Sequence, residues 1–369
     1  MKKQLIPALI VTAVALGGFS ASARAAKDFP LFDIDSRRQE LARPEFAAIR
    51  EGCLAGNETL PKKGLEPVKA LQASEAYGSD RSLNDFAWYM IVQGSRALAG
   101  DKKAASDAGK TLLEWARANA LEQTPEHYDP YYALKRALLP TITTYAIIRE
   151  TISAEEQKTL ENWLDGLVRR IDAKFDGDVD HNNHRYLADS VLMLWGGFIG
   201  DKTLYKKGVE RFEAALSDMR EDGALPLENR RGARALWYLR QSLADLTLMA
   251  EVARNKGDDL YGMEKNGRSL SLLMNHFLNG VYNPGIMLER SSENYIPGPS
   301  DNFLNPDMGF LDNRGRRHLL AFGEAYRLHA KEDFSRARFE TLMRREVDDE
   351  RPLMDDYIGG NATCFWAKP

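Results

Sequence analysis

Ser153-Ala154-Glu155-Glu156 opens a stretch whose apolar residues, Trp163, Leu164, Leu167, Val168 and Ile171, recur at helical spacing. A serine answered three residues later by a glutamate is a capping box, which satisfies two backbone N–H groups at a helix start. The stripe behind it repeats every three to four residues and buries one face of a helix. The same rhythm runs outward in both directions. It predicts further helices over 83–99, 104–120, 133–151, 184–199, 202–219, 231–255, 264–278 and 315–330. Gly100-Asp101, Gly200-Asp201 and Gly257-Asp258 fall between helices, where glycine serves as a C-cap. Strand signals are scarce: no long Val/Ile/Thr alternation appears, and no βαβ rhythm. Antiparallel helices joined by short turns predict an all-α helical toroid or barrel. Segments 54–80 and 283–312 are too long for plain connectors and read either as binding loops or as irregular surface.

The N-terminus follows a different pattern. Lys2 and Lys3 precede an apolar run from Leu5 to Phe19, and Ala23-Arg24-Ala25 follows as an A-x-A cleavage pattern. This predicts a signal peptide over 1–25 and a single domain over 26–369, placed in the periplasm or secreted. The run falls short of the ~20 residues a membrane-spanning helix needs, so no stable membrane insertion is expected after cleavage. Losing Lys2, Lys3 and Arg24 and no acid takes the net charge from −4 to −7. That balance argues against a nucleic-acid binder and requires a local basic groove if the ligand is a polyanion. Cys53 and Cys364 either form a disulfide, which an oxidising compartment permits, or stay as two buried thiols. They carry no zinc-ligand spacing, and no metal or cofactor is implied.

Two segments carry candidate chemistry: Asn182-Asn183-His184-Arg185-Tyr186 at a helix start, and Arg230-Arg231-Gly232-Ala233-Arg234-Ala235-Leu236-Trp237-Tyr238. Asn182 reads as a helix N-cap. On a continuous helix Arg231 and Tyr238, seven apart, share a face with Arg234. Taken singly, a histidine in a helix is usually structural, an arginine run is usually a solvated face, and a tyrosine among Leu and Trp is usually core. Together an amide, an imidazole, a guanidinium and a phenol suit β-elimination across a uronate. Removing the C5 proton puts charge on the C6 carboxylate, which donors stabilise most in the transition state. A base takes that proton and an acid protonates the departing O4.

Asn-Asn-His-x-Tyr, then Leu225-Pro226-Leu227-Glu228, then Arg234-Ala235-Leu236-Trp237-Tyr238 resembles the alginate lyase family, more narrowly the poly-mannuronate lyases of polysaccharide lyase family five. The resemblance runs from about Tyr77 to the C-terminus and is thin outside 180–255. It implies an incomplete (α/α) toroid with a groove across its mouth, acting on an anionic polysaccharide. It makes Asn183 and Arg231 the carboxylate neutralisers and Tyr238 the acid, and for mannuronate also the base. His184 becomes the base or the group that tunes Tyr238. Tyr77 becomes a lid residue that binds substrate, joined by Arg185, Arg230 and Arg234.

Three positions depart from the family pattern: Glu75 replaces a lysine before the lid, Leu187 a tryptophan, and Tyr357 an arginine before Gly-Gly. They bear on the sugar more than on the reaction, so glucuronan or another polyuronate stays open beside mannuronate-rich alginate. An inverting (α/α) glycoside hydrolase would need two spaced carboxylates, for which Asp180, Asp189, Glu221 and Asp222 are at hand. A non-catalytic polysaccharide-binding protein would need no such quartet.

Overall fold

The computed structural model describes residues 29–61, 65–72, 81–293, 306–314 and 316–369. The signal-peptide segment and Tyr77, with its neighbours Glu75, Ser79 and Asp80, lie outside the described residues. Fifteen α-helices follow one another among those residues. In order they are α1 (Ile34–Leu41), α2 (Ala47–Leu54), α3 (Arg81–Leu98), α4 (Lys102–Arg117), α5 (Tyr128–Ile148), α6 (Ala154–Lys174), α7 (Asn183–Ile199) and α8 (Lys202–Asp218). Then come α9 (Pro226–Asn229), α10 (Ala235–Lys256), α11 (Leu270–Tyr282), α12 (Gly285–Glu293), α13 (Gly323–His329), α14 (Phe334–Glu346) and α15 (Ala362–Trp366). The only strands among the described residues are two-residue pairs: β1 (Asn313–Arg314) with β2 (Arg317–His318), and β3 (Met354–Asp355) with β4 (Gly360–Asn361), both antiparallel.

The helices form two layers because their sequences differ in kind. Helices α5, α7 and α10 are buried almost all round. A helix apolar on every side belongs inside a protein. Helices α4, α6 and α8 are amphipathic and bury one stripe each. Accordingly α3, α5, α7 and α10 pack in succession as an inner ring. Helix α4 backs α3 and α5, α6 backs α7, and α8 backs α7 and α10. The result is an (α/α) toroid. Residues 354–361 lie against α3, α5 and α10, between the first and last inner helices.

The capping box at Ser153 and Glu156 forms as its sequence predicts, and Gly100, Gly200 and Gly257 end their helices with positive φ. Cys53 in α2 and Cys364 in α15 are joined by a disulfide, with Cα atoms 5.1 Å apart. Beside it Arg37, only 3% exposed, donates to the carbonyl oxygens of Thr363, Cys364 and Ala367. A cation at a helix C-terminus satisfies carbonyls that have no intrahelical partner.

Some boundaries differ from expectation. The 315–330 segment is helical only over Gly323–His329, with strand β2 and a turn before it. The 283–312 loop holds α12 in its first third. The helix expected over 231–255 starts at Ala235, after a 3-10 turn at Gly232–Arg234.

Candidate active site

The site forms where the N-terminus of α7 meets the N-terminus of α10. Asn182 caps α7, its side chain accepting from the His184 backbone N–H at 2.9 Å. That cap leaves Asn183 and His184 in the first turn. The N–H of Asn183 donates instead to Glu228 Oε1 at 2.6 Å. The Asn183 amide is buried, and its Nδ2 donates to Gln241 Oε1 at 2.7 Å. Its Oδ1 has no hydrogen-bond partner among the described residues.

His184 is half-buried, and its ring lies 5.1 Å from that of Tyr132 and 6.0 Å from that of Tyr128. Below it is Lys135, a fully buried lysine whose ammonium donates to the His184 carbonyl at 2.6 Å. That ammonium also rests 3.7 Å from the centre of the Phe175 ring. Burial first, then the Lys135 and Arg231 charges, holds the His184 imidazole well below its usual pKa. The His184 ring is therefore neutral at neutral pH. Its Nδ1 has no partner among the described residues.

Arg231 and Tyr238 do meet, but not by sharing a helix. Arg231 precedes the 3-10 turn, and the chain doubles over so that its guanidinium lies 4.1 Å from the centre of the Tyr238 ring. The contact is a cation–π interaction between the guanidinium and the phenol ring. Among the described residues Arg231 has no carboxylate within ion-pair distance. Glu228 lies close enough for Arg231 and Arg230 to favour its charged form, yet burial dominates and pushes its carboxyl up to about 7.

The other expected binding residues divide. Arg230 and Arg234 are half-buried near the site, Arg234 lying 5.9 Å from the Trp237 ring. Arg185 points the other way. It is 7% exposed, and its Nε donates to Asp189 Oδ1 at 3.2 Å. Successive residues of a helix point 100° apart, so next to His184 the Arg185 side chain turns into the interior rather than to the substrate surface. Arg240 is also fully buried, 3.3 Å from Asp355.

Sequence reasoning missed the residues that hold this cluster. Gln241 donates through Nε2 to the Tyr132 hydroxyl at 3.0 Å, and Tyr132 meets the Tyr357 hydroxyl. Arg136 lies over both rings, 5.3 and 5.5 Å from their centres, and pairs with Asp356 at 2.9 Å. The available signal was Gln241, a polar residue three positions after Tyr238, but Arg240, Ser242 and Asp245 beside it are polar too and dilute that signal. Tyr132 and Arg136 arrive from α5, far away in sequence, and nothing local marks them.

A family model described as alginate lyase matches residues 70–287. The chain belongs to the alginate lyase family. Among relatives of this family member, a polysaccharide lyase of Stenotrophomonas maltophilia (strain K279a) is 26% identical over 58% of this chain and 67% of its own length. An alginate lyase of Pseudomonas syringae pv. syringae (strain B728a) is 28% identical over 49% of this chain and 50% of its own. The chain thus spans half to two thirds of the length of these curated relatives. Among solved structures, alginate lyase A1-III complexed with tetrasaccharide superposes with a TM-score of 0.75 at 21% identity, covering 94% of this chain and 98% of that one. An alginate lyase from Bacteroides ovatus gives 0.66 at 13% identity, covering 93% and 100%. At those identities the likeness is one of fold, and it agrees with the toroid.

Proposed function

We propose that this member of the alginate lyase family is a polysaccharide lyase that cleaves a 4-linked polyuronate, most simply mannuronate-rich alginate, by β-elimination. The observation that carries the proposal is the Arg231 guanidinium stacked on Tyr238 beside a buried Asn183 amide and a neutral His184. The Asn183 amide and Arg231 receive the substrate C6 carboxylate and stabilise the charge it gains as C5 loses its proton. The C5–H bond breaks toward Tyr238 or His184 as base. A C4–C5 double bond forms, the C4–O4 bond breaks, and Tyr238 supplies a proton to O4. In mannuronate C5–H and O4 lie on one face of the sugar, so a single tyrosine serves both transfers. The products are a reducing end and a 4,5-unsaturated uronate.

The half-buried Arg230 and Arg234, beside the site in sequence, suit a polyanion that the net-negative chain would otherwise repel. The tetrasaccharide bound by alginate lyase A1-III supports an oligosaccharide-sized ligand. The N-terminal sequence supports export to the periplasm or beyond. Hydrolysis is less well served. Asp189 is locked between Arg185 and Arg211, Glu221 is exposed beside Arg268, and Asp222 pairs with Arg290.

Purified protein assayed on polymannuronate, polyguluronate, glucuronan and hyaluronan tests the proposal. Ultraviolet-absorbing product is expected, most from polymannuronate, and undiminished by chelator. Reducing ends without absorbance would make it a hydrolase, and neither product would make it a binding protein.

A further inference from the structure

Asn183 is the one proposed carboxylate neutraliser whose usefulness depends on which way round it sits. A carboxamide presents two N–H donors on one side and an acceptor oxygen on the other. Only the donor side stabilises a carboxylate gaining charge. With Oδ1 turned toward the substrate, two oxygens would face each other. The backbone of α7 does not decide between these orientations, because the two ends of the amide have nearly the same shape.

Gln241 decides it. This residue is 2% exposed in α10, and its Oε1 accepts from Asn183 Nδ2 at 2.7 Å. Turning the Asn183 amide over would set Oδ1 against Gln241 Oε1, two acceptors without a proton between them. Gln241 is itself held, because its Nε2 donates to the Tyr132 hydroxyl at 3.0 Å. Tyr132 then has its own proton to give, and the Tyr357 hydroxyl is beside it. Burial raises the pKa of both phenols, so each remains a neutral hydroxyl, and that of Tyr132 is able to accept the Gln241 N–H. One N–H of Asn183 is spent on Gln241, and the second remains for substrate.

We propose that Gln241 is a positioning residue for the β-elimination, holding the Asn183 amide as a donor toward the substrate carboxylate through the relay Tyr357–Tyr132–Gln241–Asn183. This rests on the lyase chemistry proposed above. The relay ends at Tyr357, one of the positions where this chain departs from the family pattern, so it belongs to this chain's own groove.

A double-mutant cycle on the full chain, read as kcat and KM on polymannuronate, tests it. Asn183→Ala should lower kcat by about 10²–10³-fold, as loss of one donor to a developing anion does. Gln241→Leu should lower kcat roughly tenfold to a hundredfold with KM nearly unchanged, because Asn183 then spends time reversed. Combined, the two should be no slower than Asn183→Ala alone within about twofold, since residues acting through one group are not additive. Tyr132→Phe keeps the ring and serves if Gln241→Leu folds poorly. It should cost several-fold, and that cost should vanish in the Asn183→Ala background. Losses that multiply, or a Gln241→Leu enzyme within twofold of wild type while Asn183→Ala is crippled, would overturn the positioning role and leave the lyase chemistry standing. An Asn183→Ala enzyme with full turnover would overturn both.

Discussion

Two faces of helix α7 treat charge in opposite ways. At its first turn His184 Nδ1 and Asn183 Oδ1 have no hydrogen-bond partner among the described residues, and Arg231 comes in from outside the helix without forming an ion pair among them. One turn further in, Asp189 accepts from Arg185 at 3.2 Å and Arg211 at 2.8 Å. Arg211 continues to Asp172 and Asp176, each at 3.0 Å, and Lys207 holds the same two at 2.9 and 2.8 Å. The inner network pairs its charges with one another and so ties helices α6, α7 and α8 together, although Arg185 Nη1 and Asp172 Oδ1 have no hydrogen bond among the described residues. The outer cluster leaves Arg231 in no ion pair and His184 Nδ1 without a hydrogen bond among the described residues. Stability and reactivity are thereby separated by one helical turn, and substitutions on the two faces should fail in different ways.

The largest expected effect lies on the outer face. Tyr238→Phe should lower kcat by at least about 10³-fold while KM and the unfolding midpoint stay close to wild type, since only a hydroxyl is lost. Retention of a tenth of wild-type turnover would move the proton transfer to another residue. Arg231→Lys should also lose most activity, because an ammonium lacks the planar fork that grips a carboxylate.

On the inner face Asp189→Ala should do the reverse. It leaves Arg185 and Arg211 buried without their shared carboxylate, a defect that typically costs about 3–5 kcal/mol. Denaturant unfolding should show that loss, while the kcat of the folded fraction stays within a few-fold. An unchanged midpoint would mean that the network is not what holds these helices.

Glu228, which accepts from the Asn183 N–H in the first turn of α7, gives the comparison a pH axis. Its folded pKa, raised to about 7, lies above the unfolded value of 4.5. A raised pKa contributes stability that is fully present below the unfolded value and lost as pH rises through the folded one. Wild type should therefore lose stability between about pH 4.5 and 7 relative to Glu228→Gln, by of order 3 kcal/mol at 1.36 kcal/mol per pKa unit. Parallel pH curves from urea melts of the two proteins would refute this.

His184 has the opposite sign. Because burial lowers its pKa, the neutral form should persist below the ordinary 6.5, and the acid limb of kcat/KM should not begin at that pH. A limb centred at 6.5 or above, absent in His184→Gln, would contradict the neutral base. The smallest effect expected is ionic. Raising salt from 0.1 to 1 M shortens screening from ~10 to ~3 Å, and KM for the polyanion should rise several-fold. A flat KM would mean that Arg230 and Arg234 do not face the substrate.

Much of the fold was legible because helices announce themselves locally. The capping box at Ser153, the glycine C-caps and the stripes of α4, α6 and α8 are patterns of neighbouring residues. Ends were less legible where tertiary contacts overrule pattern, as at Gly232–Arg234, which tightens into a 3-10 turn ahead of α10. For the site, Asn183, His184, Arg231 and Tyr238 were nameable from two segments whose residue types suit one reaction. Arg185 was misplaced for a plain reason: in sequence it adjoins His184, but at 100° per residue it turns into the core.

The amino-acid sequence by itself determined the helical class, the candidates Asn183, His184, Arg231 and Tyr238, and the two cysteines able to bridge. Those depend on composition, on periods of a few residues and on the chemistry of side chains. Only the tertiary structure decided which arginine faces the groove and which is spent inside. It also decided that Cys53 and Cys364 stand 5.1 Å apart at their Cα atoms, and that Tyr132 and Gln241 from separate helices hold the Asn183 amide. These are pairings across tens to hundreds of residues, and a hydrogen bond's direction is set by the partner that packing brings to it, which no local stretch of chain contains.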